Sequence, residues 1–486
     1  MSVSSSPPAR RWWALALIAL AQFMVIMDTS IIGVALPRMQ DDLGFSQQNL
    51  SWVFNAYVVA FGGLLLLGGR LADLFGARRL FTAGWFILLV GSAVAGAAGS
   101  VAVELTGRAV QGVGAALIAP AALTLLMMLF GGNPRELTKA LALYGAAAPA
   151  GGTAGVFLGG VITEYVSWPW VFYINIPIAV LALVAAPALM PAGGAGARGS
   201  IDVLGALTVT LGLGALVYAI VRAPEVGWGS AETWGVMAAG LVLLGVFLAI
   251  QAARREPLMP LSIFRTPNLG AANLAQLLLG GAWIPMWFFL NLYLQQVLDY
   301  SAFPSGAALL PMTVLIMIGM IALAPRAMAR FGPKAMTVTG LLVLAAGMGW
   351  LSLVRPDGTF WVDVLPASLV AALGMSLAFI PSLGTAISSA RPEEGGLASG
   401  IVNTSYQVGS ALGLAAMTAI ASAQGADQLG NLPALTNGFS AAFLGAGVIV
   451  LAGAVLAAVT LRSSRPAPEP AAATDRPAAR DAVAGH

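Results

Sequence analysis

The chain has no cysteine, which excludes disulfides, iron–sulfur clusters, thiolate zinc sites and cysteine nucleophiles. Its one histidine is His486, the last residue. Histidine acid–base chemistry, haem ligation and H-E-x-x-H metal sites therefore have no residues to use. Charge is scarce too: Asp, Glu, Lys and Arg make up 9% of the 486 residues, against roughly a quarter in ordinary soluble domains. No long stretch has the mixed, charged composition of a water-facing surface. A Walker loop is missing, which excludes a self-contained ATP pump, and the apolar runs hold no nucleophile–base pair or metal-ligand cluster. The net charge of +3 is spread thinly between apolar segments, so neither a nucleic-acid partner nor a cofactor is expected, and an enzyme is the weakest reading.

What is abundant is apolar residue, 59% of the chain. A hydrocarbon core of about 30 Å is crossed by about 20 apolar residues in a helix, and fourteen such runs can be read: 12–36, 49–69, 80–100, 102–130, 137–163, 170–190, 203–221, 234–253, 269–298, 303–328, 335–354, 364–388, 397–423 and 439–461. These unbroken runs lack the alternation of barrel strands. With the N-terminus inside, every basic residue except Arg38, Arg108, Arg222 and Arg355 falls on the cytoplasmic side, as the positive-inside rule requires. Both termini are then cytoplasmic. The opening MSVSSSPPARRWW resembles a signal peptide's basic region, but the apolar run after it is too long, so it reads as a retained first helix. After Leu461 the chain turns rich in Pro, Ala and charge, a composition that buries no core.

The segments GRLADLFGARRLF from Gly69 and PRAMARFGPKAM from Pro325 align at a shift of 256, which matches Arg70 with Arg326, Phe75 with Phe331, Gly76 with Gly332 and Arg78 with Lys334. The same shift carries the first run onto the ninth. The layout expected is a cytoplasmic N-terminus (1–11), a six-helix half (12–190), two inserted helices (203–253), a second six-helix half (269–461) and a disordered cytoplasmic tail (462–486). Parallel six-helix halves suit a rocking transporter with its site near the midplane.

In the first of the two basic loops, Gly69 permits close helix contact, Gly76 permits a tight turn, and Asp73 can pair with a basic residue or a helix N-terminus across the half interface. A bulky residue at Gly76 is expected to obstruct both the turn and the half-to-half contact. Asp28, in MDTSIIGVALP of the first run, is the only acid read as lying deep in a span; a carboxylate there costs about 2.5–3.5 kcal/mol on insertion scales. Glu104 is placed at an outer helix end. The fourth run carries LTGRAVQGVGAA, in which Gln111 and Gly112 share a helical face with Arg108. Asp28 and Arg108 both lie about 10–13 Å below the outer surface at about 1.5 Å per residue, so they can meet, either as a coupling site or as a structural ion pair. Gly151, Gly155 and Gly159 recur every four residues in the fifth run, a stripe for close packing. Trp52, Asn55, Tyr57, Asn291, Gln295, Asn403, Tyr406 and Gln407 are polar or amphipathic groups at lipid depth. Singly they suit interhelical hydrogen bonding; as a set, with Gln111, they are candidates to line a cavity.

These segments resemble the major facilitator superfamily, and within it the fourteen-helix drug:proton antiporter family, over about residues 12–462. The most specific match is the loop G-x-L-A-D-x-x-G-x-R-R, here Gly69, Leu71, Ala72, Asp73, Gly76, Arg78 and Arg79, which in the family latches one conformational state. Asp28 resembles the membrane-embedded acid of the family's first helix, and Arg108 its intramembrane arginine. GAAAPAGGTAGVFLGG resembles the antiporter motif ending G-P-x-x-G-G, except that Val156 stands at the proline position; Pro149 can supply the kink instead. SWPWVFYINIPI, from Ser167, resembles the helix 5–6 junction, with Pro169 where a basic residue is common; it reads equally as an interfacial tryptophan belt.

The resemblance implies an all-α membrane protein with the major facilitator fold, exporting a hydrophobic small molecule, neutral or cationic, in exchange for protons. A facilitator or uptake permease on the same fold is the alternative. The expected partners are the small-molecule substrate, protons and the lipid bilayer, and the expected state is a monomer. Arginine far outnumbers lysine, and Ala and Gly are plentiful. That bias suggests a high-GC bacterium, and hence a bacterial cytoplasmic (inner) membrane.

Overall fold

The computed structural model describes residues 8–45, 52–191, 202–254, 257, 261–391, 395–426, 428 and 430–462, and every regular element among them is a helix. The expected tail after 462 and the loop holding Arg198 lie outside the described residues. The first stretch comprises α1 (Pro8–Leu43), α2 (Trp52–Phe75), α3 (Ala77–Gly96), α4 (Val101–Phe130), α5 (Pro134–Tyr165), α6 (Trp170–Tyr173) and α7 (Asn175–Leu189). A hairpin follows, α8 (Val203–Val226) and α9 (Ala231–Ala253). The last stretch holds α10 (Leu269–Leu292), α11 (Ala302–Ala308), α12 (Leu310–Ile318), α13 (Ala324–Leu351), α14 (Leu365–Ser388), α15 (Gly395–Ala423) and α16 (Leu432–Thr460).

Helix starts follow the sequence. Ser100 caps α4 and Ser230 caps α9, while Asn133 and Asn431 cap α5 and α16, each with a proline in the first turn after it. Such side chains accept from backbone N–H groups that the helix leaves free, and proline lacks one to leave.

Eleven helical stretches among the described residues are long and apolar enough to cross a membrane, fewer than the fourteen runs read from the sequence. The difference has three sources. The apolar part of α8 is short, Leu204–Ile220. The runs at 303–328 and 335–354 form one stretch of 49 residues, Phe303–Leu351. And α15, which carries Asn403, Ser405, Tyr406, Gln407 and Ser410 along its middle, is not among the eleven. The expected loop between the tenth and eleventh runs is a single non-helical residue, Gly332 (φ 81, ψ 164), matching Gly76 (φ 91, ψ 130) between α2 and α3. Only glycine enters that region freely.

Packing pairs recur in the same order along the two stretches: α3 with α4 and α13 with α14, α1 with α5 and α10 with α15, α3 with α7 and α13 with α16. Glycines make the approach possible. A Cβ on Gly84 or Gly91 would strike the α4 backbone, and one on Gly340 or Gly347 the α14 backbone; both pairs differ by 256 in number. The hairpin α8–α9 seats against α2 and α15, with Gly62 and Gly63 of α2 facing Val217 and Gly214 of α8. Its open end is clasped by buried Asp202, which accepts from Gly205 N (2.9 Å), Gln251 Nε2 (2.8 Å) and Arg254 Nη1 (2.6 Å).

Candidate functional site

Asp28 on α1 and Arg108 on α4 meet directly. Arg108 Nη1 donates to Asp28 Oδ2 at 2.6 Å, and the two residues are 0% and 1% exposed. The other carboxylate oxygen, Oδ1, accepts from Gln111 Nε2 (3.0 Å) and Asn175 Nδ2 (2.6 Å). Arg108 donates further from Nε to Val53 O (2.9 Å) and from Nη1 to Gln111 Oε1 (2.6 Å). Ser92 Oγ on α3 accepts from Gln111 (2.8 Å) and Asn175 (3.3 Å). The Tyr57 ring lies 4.6 Å from the guanidinium carbon and that of Phe172 5.9 Å, a cation–π arrangement strengthened by desolvation. A buried ion pair offsets its desolvation only when further hydrogen bonds satisfy the remaining lone pairs and protons. Here five helices, α1 to α4 and α7, take part, and they supply partners for both Asp28 oxygens and for Arg108 Nε and Nη1.

The glycine stripe of α5 presses on α1 on either side of Asp28. A Cβ on Gly151 would strike Phe23 O, on Gly155 Met27 O, and on Gly159 Ile31 O, each closer than 3.0 Å. Farther round α5, Thr153 Oγ1 meets Thr313 Oγ1 of α12 at 2.6 Å, Phe157 stacks on Phe303 of α11 (5.4 Å), and Val156 faces Gly306.

In the last turn of α2, Asp73 Oδ2 accepts from Leu397 N in the first turn of α15 (2.9 Å). One partner is thus a helix N-terminus, whose free N–H groups and dipole favour an anion. Gly69 lies beside Gly400, whose Cβ would come 3.4 Å from its Cα. Arg78 points elsewhere, donating to Met190 O (3.4 Å) and Pro187 O (3.5 Å) at the end of α7. Nothing lies within 4 Å of a Cβ on Gly76. A Cβ there strains the backbone, because φ is 91, but by itself meets no described atom, so the turn is what a substitution loads first.

The remaining cavity candidates are scattered. Trp52 stacks on Tyr218 of α8 (5.3 Å). The side chain of Asn55 lies outside the described residues. Asn291 accepts from Gln295 (2.9 Å) and Ser305 (2.6 Å) near α11, and Asn403 donates to Ser399 O of its own helix (2.9 Å). Gln407 is half-buried, and the Tyr406 ring packs on Phe379 (5.9 Å). Sequence reasoning missed Asn175 and Ser92, whose signal was an amide and a hydroxyl inside apolar runs. It also missed Gln276, which joins α10 to Ser382 Oγ of α14 (3.0 Å). Asp28 is not the only buried acid: Glu104 is 0% exposed, because its face of α4 turns inward at the first turn. A cleft of about 320 Å³ opens beside Trp12, Lys139, Leu143 and Arg326, between α1, α5 and the start of α13. No group of three or more His, Cys, Asp or Glu among the described residues could hold a metal ion.

The Major Facilitator Superfamily family model matches residues 18–414. The chain is 38% identical over 462 residues to a cephamycin export protein of Amycolatopsis lactamdurans, covering 94% of this chain and 93% of that one. It is 38% identical over 467 residues to the puromycin resistance protein of Streptomyces alboniger, covering 94% and 92%. The structure of a human organic anion transporter superposes with a TM-score of 0.65 at 15% identity, covering 93% of this chain and 100% of that one. With the family model matched over residues 18–414 and relatives 38% identical over 94% of its length, the chain belongs to the Major Facilitator Superfamily, among its antibiotic export and resistance transporters.

Proposed function

We propose that the chain exports hydrophobic, antibiotic-like small molecules, neutral or cationic, across a bacterial cytoplasmic membrane in exchange for protons, working as a monomer. The reading rests above all on the sealed centre at Asp28 and Arg108. A proton crossing 100 mV supplies about 2.3 kcal/mol, and only a titratable group within the membrane can couple to it. Among the described residues the Asp28 carboxylate accepts from groups on other helices, Arg108 and Gln111 of α4 and Asn175 of α7. Protonating it would weaken that set, and so favour a different packing of α1, α4 and α7. The relatives named for cephamycin export and puromycin resistance support the cargo class.

In the same proposal the chain crosses fourteen times, with α8 and α15 as spans and Phe303–Leu351 crossing twice about Gly332. Both termini are then cytoplasmic, and α8–α9 is an insert between two six-helix halves. Asp73, bound to α15, latches the cytoplasmic ends in one state, while the α5 stripe lets α1 slide without parting. The test is transport of cephamycin and puromycin into inverted vesicles with an imposed pH gradient. Uphill accumulation that collapses with the gradient is expected. Movement that only equalises concentrations would make the protein a facilitator.

A further inference from the structure

Beside the ion pair lies a second acid with no partner. Glu104, one turn before Arg108 on α4, is fully buried, and neither carboxyl oxygen has a hydrogen-bond partner among the described residues. Arg108 Nη2 is likewise buried and unpartnered. An acid in the first turn of a helix gains about 0.3–1 kcal/mol from the helix dipole, far less than it costs to bury a bare carboxylate. Glu104 and Arg108 share a helical face, about 6 Å apart along the axis. The charged groups that act on Glu104 are Arg108 and, from α1, Asp28. Tyr57 of α2 faces the guanidinium, Ser92 of α3 binds Gln111, and Asn175 of α7 binds Asp28, none of them a further ion. Farther out, Asp42 of α1 accepts from Trp168 Nε1 (2.7 Å), Glu164 of α5 is exposed, and Tyr406 of α15 packs on Phe379.

We propose that Glu104 is a second proton-carrying carboxyl, sharing Arg108 with Asp28 as their common counter-ion. The inference rests on the proton-exchange reading above and adds where the proton waits. One positive charge balances one carboxylate, so the two acids hold a single proton between them. In the arrangement seen, the negative charge is on Asp28 and the proton on Glu104. When the guanidinium turns its free Nη2 toward Glu104, the Glu104 O–H bond breaks and an O–H bond forms on Asp28. The centre stays neutral throughout. Glu104, nearer the end of α4, is then refilled from the side where that helix begins, and Asp28 discharges to the other.

The test uses infrared spectra of the purified full-length protein at neutral pH, read at the carbonyl stretch of protonated carboxyls. This readout needs neither cargo nor gradient. Glu104→Gln should remove one such band, and Glu104→Asp should shift it. Asp28→Asn should also abolish the Glu104 band, because Glu104 must then carry the charge that Arg108 requires. A merely structural Glu104 would not respond to Asp28. A wild-type spectrum unchanged by Glu104→Gln, or a Glu104 band that persists in Asp28→Asn, overturns the proposal. If Glu104→Gln does not fold, the shift in Glu104→Asp and the Asp28→Asn spectrum decide alone. Loss of gradient-driven puromycin transport in the wild type would sink the proton-exchange reading and leave these bands as they are.

Discussion

Asp28 carries the coupling chemistry in this account, and its surroundings set how a variant behaves. Asp28→Asn is nearly isosteric and cannot exchange a proton, so gradient-driven accumulation should vanish; uphill export by that variant would remove Asp28 from the mechanism. Breaking a buried pair by removing one partner costs about 3–5 kcal/mol, so thermal stability in detergent should fall as well. Adding Arg108→Gln should recover part of the stability and none of the coupling. Asn175 makes a separate prediction. Its amide donates to Asp28 Oδ1 at 2.6 Å and sits wholly buried, so Asn175→Leu should cost about 1–3 kcal/mol by leaving a buried acceptor short, measured as a lower melting temperature. An unchanged melting temperature would mean that Gln111 alone satisfies the oxygen.

At the scale of elements, the helices are held by small residues whose spacing was readable and whose partners were not. The four-residue recurrence of Gly151, Gly155 and Gly159 showed a contact face, but α1 as the surface it meets came only from the packing. Gly155→Leu should force α5 off α1 beside Asp28, an overpacking cost of about 1–3 kcal/mol, while Gly160→Ala, with nothing within 4 Å of its Cβ, should leave stability and transport unchanged. Equal melting temperatures for the two variants would refute the stripe. Gly76→Val tests the turn: its φ of 91 is closed to a β-branched residue, so turnover should drop with membrane insertion intact. Transport at the wild-type rate would leave the loop as a topology anchor only.

For the whole molecule, the two stretches touch along two seams. One is α2 with α15, closed at Asp73 and Gly400; the other is α5 with α11 and α12, closed at Thr153 and Thr313. The chain has no native cysteine, so a Thr153→Cys, Thr313→Cys pair should cross-link under oxidation, stop transport, and release it on reduction. Undiminished transport in the cross-linked protein would rule out separation of that seam during the cycle. A single cysteine in place of Trp228 should label from outside, and one in place of Ala195 only after permeabilisation. The reverse pattern would invert the proposed topology.

Composition and run length were enough to determine an all-helical chain of membrane spans, because in lipid every backbone group must be satisfied within its own segment. The motif loop, Asp28 and Arg108 were legible for a related reason: charge is so costly at that depth that each instance is conspicuous. The structure alone decided that Asp28 and Arg108 are bonded and closed to solvent, since that depends on the rotation of α1 against α4. It alone brought Asn175 and Ser92 to them, because a neutral amide or hydroxyl in an apolar run can serve any neighbouring helix. Glu104 stands in the first turn of α4, at the helix end where it was read, but its burial was not legible, as being near a helix end does not fix which way its face turns. Trp52, Asn291 and Asn403 share a polarity that sequence can rank, yet they sit against different neighbours, and only tertiary packing separates the groups of one site from those that merely tie helices together.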